Sequence, residues 1–212
     1  MAVIVAVVVY ALLPSSLLFT NRLITPIAEI LLLVALLITN PRRMTRETRW
    51  SRWASIALAG VVILTNLGSL GILVSLLTGQ GASGEHLLAG AMQIWVTNVI
   101  GFGLLFWELD RGGPVARRRE KRTELPSADW RFSQDENDDA VIEVSRTSSK
   151  TADWIPNFVD YLYVSLTNSS AFSPTDTMPL TSRAKMLMGL QATAALLVSL
   201  VLVAFAVGKL GA

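Results

Sequence analysis

The chain has 212 residues, of which 52% are hydrophobic and 16% are charged, with a formal net charge of +2 and no cysteine. Its apolar residues form long blocks, which excludes an ordinary soluble domain. The lack of cysteine excludes disulfides, thiolate metal sites and thiol nucleophiles. We therefore predict an all-α, polytopic integral membrane protein of the plasma membrane, whose first partner is the lipid bilayer.

The apolar blocks predict about five transmembrane helices, because a hydrocarbon core of ~30 Å takes roughly 20 helical residues to cross. Peptide groups in lipid find no water, so such blocks must be helical. The predicted spans are residues 2–20, 23–39, 54–77, 87–107 and 184–208, with a half-span at 156–168. The first block has no basic residue before it and no cleavage site of a secretory signal, so we expect it to be retained.

Basic residues beside these blocks predict the topology. One cluster follows the second block and another follows the fourth, and together they comprise Arg42, Arg43, Arg46, Arg49, Arg52, Arg111, Arg117, Arg118, Arg119, Lys121 and Arg122. The third and fourth blocks form a hairpin around a glycine-rich turn, so both clusters lie on one side, which the positive-inside rule assigns to the cytoplasm. We accordingly predict a four-helix transmembrane region at 1–108, a charged and partly disordered cytoplasmic loop at 109–153, and a C-terminal unit at 154–212.

The cytoplasmic loop is basic first and acidic later, with at most a short strand at 140–144. Each Lys or Arg near a membrane surface contributes ~1 kcal/mol to the attraction of anionic lipid. The residues that predict such a contact are Arg117, Arg118, Arg119, Lys121 and Arg122. Ordinary topology determination explains the same cluster equally well. Since the basic residues flank apolar blocks, we expect no nucleic-acid partner.

The sequence contains no constellation for catalysis or metal binding. Its single histidine, His86, stands beside Glu85, and this pair makes neither a catalytic triad nor a metal site. No phosphate-binding glycine loop or dinucleotide fingerprint occurs. We therefore expect no enzymatic activity and no cofactor.

Polar side chains inside the predicted spans are the next candidates. Asn66 and Asn98 lie about twelve and ten residues from the cytoplasmic ends of their helices, so their depths nearly match at ~1.5 Å per residue. The two amides are expected to face each other and to join the helices. Glu29 is costly inside a span and predicts a permeation or proton-handling role, unless its carboxylate reaches the nearby interface.

The segment 161–181, YLYVSLTNSSAFSPTDTMPLT, resembles the pore helix and filter loop of the potassium-channel superfamily. The resemblance rests on Phe158, Tyr161, Leu162, Ser165, Leu166, Asp176, Pro179 and Thr181. Basic Arg183 and Lys185 open the last helix, as basic residues often do in that superfamily. The chain is also similar to a family of uncharacterised bacterial membrane proteins, at WELDRGG (107–113) and at NSSAFSPTDTMPL (168–180).

The departures from the channel pattern fall at the filter itself. The five filter positions hold Ala171, Phe172, Ser173, Pro174 and Thr175, so both filter glycines are missing. Without them the backbone does not readily turn every carbonyl toward a pore axis, and Pro174 also lacks an amide proton. The resemblance then implies a re-entrant half-helix and a polar loop at a cavity or subunit contact, lined by Thr167, Asn168, Ser169, Ser170, Ser173, Thr175 and Asp176.

These features predict a channel-like protein that passes or senses a small ion without potassium-type selectivity. We expect a homo-oligomer, and a tetramer if the chain follows the channel plan. The alternative is a non-conducting scaffold or accessory subunit whose polar loop only packs helices. The charge rule makes the half-helix enter from the cytoplasm, whereas the potassium-channel orientation would place it outside.

Overall fold

The computed structural model describes residues 49–78, 84–136, 141–173 and 176–210. The first two predicted spans, Glu29, Pro174 and Thr175 lie outside these residues. The helices are α1 (Arg49–Thr78), α2 (Gly84–Leu109), α3 (Pro114–Arg119), α4 (Ile142–Ser145), α5 (Ser149–Ala152), α6 (Phe158–Ala171) and α7 (Ser182–Leu210). The strands are β1 (Trp130–Arg131) and β2 (Met178–Pro179), and 3-10 turns occupy Asp110–Gly112 and Ser133–Asp135.

Three helical segments are long and apolar enough to cross a membrane: Arg52–Ser75 in α1, Leu87–Gly112 in α2 and the 3-10 turn after it, and Ser182–Phe205 in α7. They coincide with the third, fourth and fifth predicted spans. The mostly helical fold and its three apolar helices therefore agree with the membrane class predicted from composition.

Helices α1 and α2 pack as an antiparallel pair, and α7 covers one side of it. A side chain on Gly101 would place its Cβ 3.2 Å from side-chain atoms of Val62 and Ile63. One apolar core joins α1, α2 and α7 around Leu73 and Ile94. A second core, around Phe106, adds the loop and α6.

The chain breaks sharply after α2. Arg111, Gly112 and Gly113 have φ angles of 48°, 82° and 98°, in the left-handed region that favours glycine. A Cβ on Gly112 would lie 3.1 Å from Ala116 Cβ and 3.2 Å from Pro126, so this position needs glycine on both counts. The break lets α3 fold back under the end of α2.

Within the described residues, the strand pairing joins the loop at 109–153 to the segment after α6, away from the predicted strand. Trp130 pairs with Pro179 and Arg131 with Met178, in antiparallel register. Residues 142–145 are helical instead, with Ser145 N–H donating to Val141 O at 2.9 Å. The prediction of a strand at 140–144 is wrong, because β-branched residues form a strand only beside a partner edge, and β1 pairs with β2.

Candidate functional site: a half-length helix held by buried polar side chains

Helix α6 begins with a capping box. Asn157 Oδ1 accepts from Val159 N–H at 2.8 Å, and Asp160 Oδ2 accepts from Asn157 N–H at 2.7 Å. These bonds satisfy amides that the first turn leaves unpaired. The sequence therefore fixes where the helix starts.

α6 runs antiparallel along the second half of α2. Its Phe158 ring lies 5.6 Å from the Trp107 ring, and a Cβ on Gly103 would lie 3.3 Å from Leu162 Cα. Near its other end, Asn98 Nδ2 lies 3.5 Å from Ser169 Oγ. From Trp107 to Asn98 is roughly 14 Å at ~1.5 Å per residue, about half of a ~30 Å hydrocarbon core.

Beyond α6 the chain turns back. Phe172 follows the helix with φ 57°, and the chain then reaches β2, which pairs with β1. In β1, Trp130 packs against Phe106 with ring centroids 4.7 Å apart, close to the end of α2. The segment after α6 thus returns toward the end of α2 at which α6 begins.

Gln191 of α7 is the centre of a buried polar network that holds α6. Its Nε2 donates to Ser165 O at 3.0 Å, to Ser165 Oγ at 2.5 Å and to Ser169 Oγ at 2.9 Å. Its Oε1 accepts from Asn168 Nδ2 at 2.9 Å, and the same amide donates to Met188 O at 2.9 Å. The sequence analysis missed Gln191, although an amide inside an apolar block is the kind of signal that finds such a residue.

Asn98 joins this network from α2. Its Nδ2 donates over 3.4 Å to Gln191 O, while Ser165 Oγ donates to Val99 O at 2.7 Å. Asn66 is buried, but within the described residues no hydrogen bond links it to Asn98. The amide pair expected from matched depths is therefore replaced by contacts to α6 and α7.

Several buried side-chain oxygens of α1 and α2 have no hydrogen-bond partner within the described part of the chain. They are Ser69 Oγ, Gln93 Oε1, Thr97 Oγ1 and Asn98 Oδ1. An unmet buried polar group costs roughly 1–3 kcal/mol. Neutral oxygens of this kind can hold water or a small cation.

The predicted pore-loop residues divide into three groups. Asn168 and Ser169 are buried in the network at Gln191. The hydroxyls of Thr167 and Ser170 donate within α6, to Tyr163 O at 3.0 Å and Leu166 O at 2.8 Å. The exposed group comprises Ala171, Phe172, Ser173 and Asp176.

A second, charged cluster ties the start of α6 to the end of α2. Asp110 is fully buried and accepts from Tyr161 Oη at 2.5 Å and from Asp129 N–H at 2.7 Å. Asp129 in turn accepts from Arg183 and Thr181 at the start of α7. Through these hydrogen bonds, Asp110 and Asp129 together join the end of α2, the loop, α6 and α7. Sequence reasoning flagged the motif around Asp110 without finding this role.

Arg117 closes the end of α2 from α3. Its Nη1 donates to Asp110 O at 2.6 Å and its Nη2 to Trp107 O at 2.9 Å, which satisfies carbonyls at the helix end. Its guanidinium carbon lies 4.9 Å from the centre of the Tyr161 ring. Burial lowers the pKa of the Arg117 side chain from its ordinary value. Its Nε has no hydrogen-bond partner among the described residues.

Within the described residues, no group of three or more His, Cys, Asp or Glu side chains is placed to hold a metal ion. No family model, curated protein or solved structure matches this chain. The resemblance to pore-loop channels therefore stays a prediction that rests on the residues named above.

Proposed function

We propose that this chain is a multi-pass, channel-like membrane protein in which α6 is a re-entrant half-helix. The observation that carries the proposal is the path of α6, which follows α2 for roughly 14 Å before the chain turns back, and that length is about half of a ~30 Å hydrocarbon core. Irregular backbone at that depth needs protein or water around it, because lipid cannot satisfy its polar groups. The loop after α6 would then border a cavity or a subunit contact.

The exposed tip of this unit supports a role at a pore mouth. Ser173 and Asp176 lie at the surface directly after α6, where a neighbouring copy would bring further hydroxyls and carboxylates near them. A ring of carboxylates in a narrow, low-dielectric mouth attracts cations. Without glycines to arrange carbonyl rings, selectivity between potassium and sodium would be poor.

An exposed apolar face on α7 supports self-association in the membrane. Its residues are three, four or seven positions apart, as on one face of a helix. Their exposed fractions are 76% for Met186, 45% for Leu190, 41% for Leu197, 55% for Leu200 and 63% for Val207. Such a face contacts lipid in a monomer and a neighbouring helix in an oligomer. A homo-oligomer would bring the α6 tips together around one axis.

A non-conducting scaffold is the second candidate. The side chains of Asn168 and Ser169, two of the predicted pore-loop residues, are hydrogen-bonded to Gln191 and so hold α6 against α7. The loop after α6 is also tied to the cytoplasmic loop through the β1–β2 pair. Both contacts favour a rigid unit that presents its loop to a partner.

Ion flux into liposomes that contain the purified chain separates the two candidates. We expect cation flux with poor potassium-to-sodium selectivity, reduced severalfold in Asp176→Asn because the mouth loses negative charge. Glu124→Gln is the matched control, since Glu124 is exposed and lies in the cytoplasmic loop, and its flux should equal that of the parent. Strong potassium selectivity would contradict the account of the filter, and no flux at any voltage or pH would favour the scaffold.

A further inference from the structure

We propose that a basic groove beneath the end of α2 is a binding site for a phosphate group at the membrane surface. The groove has a volume of about 590 Å³ and lies between α3, the segment 125–128 and the residues before α6. This site is independent of ion conduction, since it lies at the other end of α6 from the polar loop.

The charges that line the groove favour an anion. Its acidic side chains are Glu120 and Asp153, and its cationic ones are Arg111, Arg117, Arg118, Lys121 and Arg122. Arg122 pairs with Asp153 at 3.0 Å, which neutralises one of the two carboxylates. Arg111 pairs with Asp135 at 2.5 Å, so ion pairs hold two of the five cationic side chains. Arg117, Arg118 and Lys121 then face Glu120 as the second acidic side chain of the lining, which leaves the groove positively charged.

The inner wall of the groove is held by hydrogen bonds, and its rim carries exposed side chains. Arg117 is 2% exposed and is fixed by two carbonyls, yet its Nε lacks a hydrogen-bond partner within the described residues. Arg118 and Lys121 are exposed, and no ion pair holds either of them in the described part of the chain. Asp110 and Glu108 attract the buried Arg117 guanidinium, but its Nε donates to neither of them, so an anion in the groove could accept that hydrogen bond and have its shell completed by the long exposed side chains.

The position of the groove indicates a phosphate at the headgroup level. Arg117 binds the carbonyls of Trp107 and Asp110, so the groove starts where the apolar part of α2 ends. Apolar Leu125, Ile155 and Pro156 also line it. Arg119, which the sequence analysis placed in the anionic-lipid cluster, is not part of the lining. Of the five residues in that cluster, those that line the groove are Arg117, Arg118, Lys121 and Arg122.

The test uses the purified full chain in detergent and three soluble probes: short-chain phosphatidic acid, short-chain phosphatidylcholine and inorganic phosphate. The variant Arg118→Gln/Lys121→Gln removes the rim charges. Arg119→Gln/Arg146→Gln removes the same charge from exposed residues that do not line the groove. We expect phosphatidic acid to bind with an affinity reduced roughly 30-fold in the rim variant, because each of its two basic residues contributes ~1 kcal/mol, and little changed in the control.

The three probes distinguish the source of the phosphate. Binding of phosphatidic acid without inorganic phosphate would assign the site to lipid, and equal binding of both would assign it to a soluble phosphate compound; either result supports the site. Equal losses in the two double variants, or equal binding of phosphatidic acid and phosphatidylcholine, would overturn it. Thermal unfolding of each variant, followed through tryptophan fluorescence, shows that a loss of binding is not a loss of fold.

Discussion

Gln191 is the single residue on which the docking of α6 most depends. It is fully buried, and its amide satisfies groups on Ser165, Asn168 and Ser169 at once. A polar side chain within apolar surroundings is costly unless it is fully paired, so such a network specifies one register between two helices. An apolar residue in its place would let α6 slide or rotate.

Gln191→Leu should lower the stability of the protein by about 2 kcal/mol, because it leaves the amide of Asn168 and two serine hydroxyls with fewer partners. Unfolding in detergent, followed by circular dichroism, measures the loss. Thr193→Leu is the control on the same helix, since Thr193 is exposed and its hydroxyl donates only to Gly189 O at 2.8 Å. Equal losses in the two variants would mean that the network does not hold α6.

Whereas Gln191 is a neutral buried side chain, Arg117 is a buried charged side chain at the end of a helix. Carbonyls at the C-terminus of a helix carry partial negative charge, and the guanidinium of Arg117 meets two of them. The ring of Tyr161 covers one face of the cation. These contacts offset part of the desolvation free energy that burial of the guanidinium costs. The proposed anion in the groove beside Arg117 would offset more of it.

At the scale of single elements, α6 is a helix whose polar residues define both ends. Asn157 caps its start, and at its other end Ser170 donates to Leu166 O while Phe172 adopts a left-handed φ. Serine and asparagine compete with the helix backbone for hydrogen bonds, and Pro174 cannot continue a helix. The helix therefore stops after 14 residues, too short to cross a bilayer by itself.

Gly103 sets how closely α6 approaches α2. Gly103→Val should cost about 1–3 kcal/mol, because a Cβ there would meet the Leu162 backbone, which cannot move aside as a side chain can. Gly71→Val is the matched control, since no atom lies within 4 Å of a Cβ at Gly71. Detergent unfolding of both variants gives the comparison, and a larger loss at Gly71 would contradict the close approach.

The sequence predicted the long elements better than the short ones. Apolar blocks located α1, α2 and α7, because burial in lipid or protein leaves a long apolar signal. The half-span predicted at 156–168 overlaps α6 (Phe158–Ala171). The strand β1 has two residues, Trp130 and Arg131, and so carries no periodicity to detect. Its partner comes from a distant segment, which local composition cannot show. The roles of Gln191 and Asp110 depend on the same long-range packing.

At the scale of the whole molecule, the charged side chains gather at one end of the described bundle. Arg52 begins the apolar part of α1, Arg117 follows α2, and Arg183 opens α7. Asp129 accepts from Arg183, and Arg117 binds the end of α2, so contacts as well as the charge rule join these residues. If this end faces the cytoplasm, α6 enters the membrane from inside, opposite to the orientation of a potassium-channel pore helix.

Cysteine labelling tests that orientation in a chain that has no cysteine of its own. Single cysteines are placed at Gly81, between α1 and α2, and at Ser133, which is exposed in the loop at 109–153. If that loop is cytoplasmic, a membrane-impermeant maleimide should label only position 81 in intact cells. Both positions should label after permeabilisation, which controls for reactivity, and the parent chain should label in neither state. Because α2 separates the two positions, labelling of Ser133 alone would invert the protein and give α6 the channel orientation. Labelling of both in intact cells would mean that α2 does not cross the membrane.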